Sequence, residues 1–157
     1  MFRKKNRVLV LLAGVLFLIA GCSSDENSSA EVLGKDKIYH GKNATHEIIE
    51  VNSGTSWTIK SDKKDDTNYS VVTVKETGEE IAGYNVINLT AEEVQGDIES
   101  SFAKREGRDF IVVSDESSVY FRSVAEENKQ EIEDNLNATE NKDQHIMDIA
   151  NYIFNES

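Results

Sequence analysis

The sequence predicts an α+β fold: an antiparallel or mixed β-sheet of about five to seven strands, covered on one face by helices near 90–105, 124–136 and 141–155. Two observations predict it. Apolar residues alternate at period two in short runs bounded by turn formers, and in three other segments they recur at the helical spacing. Two of those three segments also carry start signals, as capping boxes.

Strand signals open at Ile38. His46–Val51 and Thr55–Lys60 flank Asn52-Ser53-Gly54 and read as a hairpin, with Ile49, Val51, Trp57 and Ile59 on the buried faces. An aromatic in register with aliphatics is core, so Trp57 is assigned to packing rather than to ligand stacking. Ser61–Asn68 is a charged loop. Tyr69–Glu76 and Glu79–Asn88 form a second hairpin about Thr77-Gly78, and Gly83 marks a bulge or bend.

Thr90-Ala91-Glu92-Glu93 then has the form of a capping box, with Leu89 placed to staple onto Val94. Val94, Ile98 and Phe102 make one stripe, Lys104 and Arg105 suit a helix C-terminus, and Gly107 suits the position after it. Asp109–Ser114 and Ser118–Arg122 are a third hairpin around Asp115-Glu116-Ser117. With the preceding strand and helix, 109–114 could complete a βαβ unit or pair antiparallel. Ser123 and Glu126 start an acidic helix whose thin stripe (Val124, Ile132, Leu136) places it on the surface. The last helix carries Ile146, Ile149, Ala150, Ile153 and Phe154, a face apolar enough to require docking on the sheet.

The N-terminus is of another kind. Arg3, Lys4, Lys5 and Arg7 precede fourteen uncharged residues, Val8–Gly21. That run is shorter than the roughly 20 residues a membrane-spanning helix needs, and fits a signal-peptide core. Ile19-Ala20-Gly21-Cys22 ends it, and on these residues the segment resembles the lipobox of bacterial lipoprotein precursors. The resemblance covers residues 1–22 and implies cleavage between Gly21 and Cys22, with a diacylglyceryl thioether on Cys22. Cys22 is the sole cysteine of the chain, so no intramolecular disulfide competes for it. The implied organisation is a signal peptide 1–21, a lipidated cysteine with a polar tether 22–35, and one globular domain 36–157. Two acyl chains give stable anchoring, each buried CH₂ contributing about 0.8 kcal/mol.

The chain has 157 residues and a net charge of −12; without residues 1–21, which hold no acid, 29 acids face 13 bases. That balance excludes the basic footprint of nucleic-acid binding and disfavours lying on anionic lipid. Absence of Pro and twelve Lys against five Arg are read as an AT-rich, Gram-positive source. No G-x-S-x-G, H-E-x-x-H or Gly-rich phosphate loop occurs, and His40, His46 and His145 have no metal-ligand spacing. The Asp62–Asn68 loop lacks a calcium-loop pattern. No catalytic residue, metal or cofactor is assigned. The expectation is a non-enzymatic binding or envelope-accessory lipoprotein on the extracytoplasmic face of the cell membrane, with a protein partner at the envelope. A mobile-element immunity or exclusion lipoprotein, and a small hydrolase, are the alternatives.

Overall fold

The computed structural model describes residues 33–42, 46–63, 66–96 and 100–157. Eight strands run in chain order: β1 (Ile38–Gly41), β2 (Glu47–Ser53), β3 (Ser56–Ser61), β4 (Tyr69–Ile81), β5 (Tyr84–Gln95), β6 (Arg108–Ser114), β7 (Ser118–Val124) and β8 (Tyr152–Glu156). Two helices, α1 (Glu126–Asn137) and α2 (Lys142–Asp148), lie between β7 and β8. Each strand pairs antiparallel with the next, and β8 returns to β1 (Tyr39↔Glu156, Gly41↔Phe154), closing an up-and-down barrel. The architecture is therefore not the α+β sheet of five to seven strands expected above, and no βαβ unit is present among the described residues.

The correction has two local sources. Residues 84–95, whose second half was read into a helix over 90–105, are strand. Ile87, Leu89 and Ala91 point into the barrel at period two, and a ten-pair ladder with β4 overrides the local capping-box pattern. Of the supposed stripe, Val94 is the next-to-last residue of β5, Ile98 lies outside the described residues, and Phe102 is fully buried from a loop. The helix expected over 141–155 stops at Asp148. Asn151 N–H then bonds Phe121 O (2.9 Å), and Tyr152–Glu156 continue as β8. Without that strand, β1 and β7 would present two open edges; closure removes both. The acidic helix is found where expected, as α1. Its first turn is secured by Asn128 Oδ1 accepting Ala125 N–H (2.8 Å), not by the Ser123–Glu126 box.

Within the second hairpin, two glycines exchange the roles expected of them. Gly78 (φ +78°) belongs to the irregularity between Glu76 and Glu80, where the register shifts. The chain reverses at Ala82-Gly83, where both residues have positive φ (+53° and +97°), the signature of a type I′ turn. The first and third hairpins lie where the turn formers put them.

Alternate residues from all eight strands fill the interior. Trp57, Phe110, Phe121 and Phe154 are fully buried there, as the Trp57 assignment to core requires. An eight-stranded barrel is just wide enough for side chains to fill, and here they do. One end gathers the three tight turns of the β2–β3, β4–β5 and β6–β7 hairpins; Leu33, 2% exposed, closes it. Leu33, the first of the described residues, is thus packed although it lies inside the stretch 22–35 read as tether. The longer connections gather at the other end. Outward-facing strand positions such as Thr58, Lys60, Thr73 and Asn88 are polar, the reverse of the apolar band that a lipid-facing barrel carries. Outside the wall, α1 and α2 cover a second apolar cluster of Ile81, Val86, Ile111, Val113, Val124, Ile132, Leu136 and Ile146.

Candidate functional site

The residues assigned to lipid attachment and cleavage, Cys22 and Gly21, lie outside the described residues. What the described residues build is a plugged mouth with polar depressions around it. Ser100 Oγ accepts the N–H groups of Phe102 and Ala103 (both 3.0 Å), a local turn that aims the Phe102 ring inward. There it meets Phe110, Phe121, Phe154 and Tyr152, with ring centroids 4.8–5.3 Å away. Glu47, at the start of β2, holds the neighbouring Ser101 through its N–H (3.1 Å) and its Oγ (3.3 Å).

Arg108 completes the plug. Its Nη1 donates to Ser101 O (2.6 Å) and to Tyr152 Oη (2.7 Å), while Tyr152 O–H itself donates to Ser101 O (2.8 Å). The guanidinium carbon lies 5.5 Å from the Phe110 ring centroid and 5.4 Å from that of Tyr152. No carboxylate pairs with Arg108 among the described residues. Its charge is satisfied by a carbonyl, a phenol, the Ser123 hydroxyl (3.4 Å from Nη2) and two ring faces, an arrangement that ties loop 100–107 to β7 and β8.

Beside the plug, Glu47, Lys63, Asp66, Asn68, Tyr69 and Ser101 surround a shallow depression of about 200 Å³. Asp66 Oδ1 accepts Asn68 N–H (2.9 Å), and that bond is the leading reason its carboxyl is held below the usual range. Tyr69 O–H donates to Glu93 (2.9 Å), which pushes the phenol up. Further round the barrel, a wider polar groove lies between the start of α1 and the β6–β7 ladder. Asn88, Arg108, Asp109, Arg122, Asn128 and Asn151 line it. Arg122 passes beneath the end of α2, its Nη1 donating to Asn151 Oδ1 (3.2 Å) and Ile149 O (3.5 Å). Both arginines thus fasten elements together.

His40 on β1 pairs with Ile48 of β2 and so lies near His46, while His145 is on α2. His40 is exposed on β1, His46 is an exposed neighbour of Asp62 (Nδ1 to Oδ2, 3.3 Å), and His145 is half-buried on α2. Among the described residues, no three His, Asp, Glu or Cys converge as metal ligands. Reading the sequence missed Phe102, Arg108 and Tyr152 as a unit. The available signal was Ser100 two residues before an aromatic, which marks an aimed turn as readily as a helix. Ile38 is the one large hydrophobic exposed among the described residues (42%), and no helix among them is long and apolar enough to cross a membrane. No family model, curated protein or solved structure matches the chain.

Proposed function

We propose that this protein is a lipid-anchored, extracytoplasmic binding domain, without catalytic activity, that meets a protein partner on the outside of its barrel. The observation that carries the binding mode is the filled interior. Trp57, Phe102, Phe110, Phe121 and Phe154 occupy the space in which a carrier barrel would hold a small ligand. Recognition is thereby left to the outer surface, which is polar and, over the whole chain, strongly acidic. Such a surface suits a partner chosen by charge and hydrogen bonding rather than by apolar burial.

The anchor rests on the lipobox and on Cys22 as the sole thiol. Leu33 is eleven residue steps along the chain from Cys22. At about 3.3–3.6 Å per residue they span at most roughly 40 Å, so the barrel stays near the membrane with its tight-turn end leading back to the anchor. Metabolic labelling with a tritiated fatty acid tests this reading: the parent should be labelled and membrane-bound, and Cys22→Ala should be unlabelled and accumulate as precursor. Label persisting on the alanine variant, or a parent that takes none, would sink it. Crosslinking the labelled protein in intact membranes should yield a discrete protein adduct.

A further inference from the structure

The β4–β5 hairpin outruns its neighbours. β3 pairs with β4 from Tyr69 to Thr73, and the last bond from that side is Val74 N–H to Thr55 O (2.9 Å). Beyond it, Lys75–Glu80 lie against β5 on one side. Among the described residues no backbone pairs with them on the other. Val74 directs its N–H to the open side, so Glu76, two residues further along the strand, directs its N–H and C=O there as well. Lys75, Glu76, Thr77, Gly78 and Glu80 are all exposed. Beyond the part of β4 that lies within the closed wall, this is a length of strand edge with unused hydrogen-bonding groups.

We propose that this edge of β4 accepts an extended, cationic segment of a partner protein as an added strand. The inference rests on the binding-domain reading and names the surface and the partner's chemistry. Main-chain bonds to Glu76 would supply the pairing, and side chains would supply the choice. Glu76 and Glu80 have no side-chain partner among the described residues, whereas Glu79 is taken by Lys129 of α1. A second copy pairing edge to edge would bring two Glu76 and two Glu80 to one seam against two Lys75, a net repulsion, and a purely apolar strand would find nothing exposed to pack on. The bulge at Gly78 adds a further barrier to indiscriminate pairing. What the edge repels therefore defines what it accepts, namely a strand with basic side chains at the facing positions.

Amide hydrogen exchange on the full chain in detergent micelles tests this, with an alternating lysine–valine octapeptide as probe and a glutamate–valine octapeptide as its opposite. Exchange at Glu76 should slow on the order of tenfold with the basic peptide and stay unchanged with the acidic one. The double variant Glu76→Lys, Glu80→Lys, which alters only exposed side chains, should reverse that preference. A proline-interrupted basic peptide that protects Glu76 equally would show electrostatic adhesion and overturn strand addition. Protection already present in the free protein would overturn it too: if independent of concentration it assigns the edge to the chain's own segment, and if concentration-dependent to a second copy. Failure here would leave Cys22 labelling intact, and failure of labelling would leave strand addition intact, so the two readings fall separately.

Discussion

Phe121 and Val124 lie three residues apart on β7 yet belong to different apolar clusters, one inside the barrel and one beneath the helices. The inner cluster draws on every strand. Phe121 alone meets Trp57, Phe102, Phe110 and Phe154, with ring centroids 4.8–6.2 Å away and rings nearly perpendicular. Among the described residues, Trp57 Nε1 is its buried polar atom without a partner. The outer cluster draws on β4 to β7 and on one stripe of each helix, and polar ties hold its rim. Tyr84 O–H donates to Asp143, Lys142 Nζ to Ala82 O (2.9 Å), and Lys129 pairs with Glu79. Burial, and then the Asp143 carboxylate, push the Tyr84 phenol up. Under the same helices, Arg122 Nε and His145 Nε2 are shut in without partners among the described residues. The inner cluster is thus knotted into the closure of the whole ladder, while the outer one is a cover fastened at its margins. Loss of the first should be global and loss of the second local.

The largest effect that could break this contrast is expected from Phe121→Ala. Removing the ring at the centre of the inner cluster should cost about 3–5 kcal/mol, read as a shift of the urea midpoint with all strand amides losing protection together. A change below about 1 kcal/mol would mean that the interior relaxes around the gap and is not the cooperative centre.

Leu136→Ala, at a fully buried site in α1, should cost less, about 2–3 kcal/mol, the low end for a large-to-small core change. Its signature is spatial. Hydrogen exchange should accelerate in α1 and α2 while β2 and β3 stay protected. Uniform acceleration would merge the two clusters into one cooperative unit.

The smallest effect sharpens the contrast at the hairpin that feeds both clusters. Asp115, between β6 and β7, accepts Ser117 N–H (2.9 Å) and Ser118 N–H (2.8 Å) on Oδ1 and Tyr120 O–H (2.7 Å) on Oδ2. The Ser117 amide is the leading reason its carboxyl is held below the usual range, followed by the Tyr120 hydroxyl. A carboxyl depressed by folding stabilises the native state above its unfolded pKa, about 3.9. That contribution fades as pH falls through the lower folded value. Asp115→Asn keeps an acceptor oxygen and loses the charge. The parent should therefore melt above the variant at neutral pH, and the gap should close below about pH 4. A gap that is constant in pH would assign the difference to turn geometry alone.

Local chemistry decided much of this molecule before any tertiary contact. Turn formers at Asn52-Ser53-Gly54 and Asp115-Glu116-Ser117 gave two hairpins in register, because a two-residue alternation and a tight turn are satisfied within a dozen residues. Trp57 was legible as core by the same alternation, and α1 by its polar length with a thin stripe. The resemblance of Ile19-Ala20-Gly21-Cys22 to a lipobox, too, rests wholly on neighbouring residues.

Tertiary structure decided what happens where two periods fit the same residues. Thr90–Glu93 satisfies a helix start, but thirteen residues of β4 offer a continuous partner, and long-range pairing carries β5 through to Gln95. Ile153 and Phe154 extend a helical stripe on paper. A barrel with seven strands leaves two edges unpaired, and using these residues as an eighth satisfies both while sending Phe154 inside. The Ala82-Gly83 turn was hidden for a related reason: alanine seldom adopts positive φ unaided, whereas here Lys142 and Tyr84, with their ties to α2, hold the turn from outside. Arg108 and Phe102 are six residues apart in the chain, but their meeting with Tyr152 exists only once β8 has closed the wall.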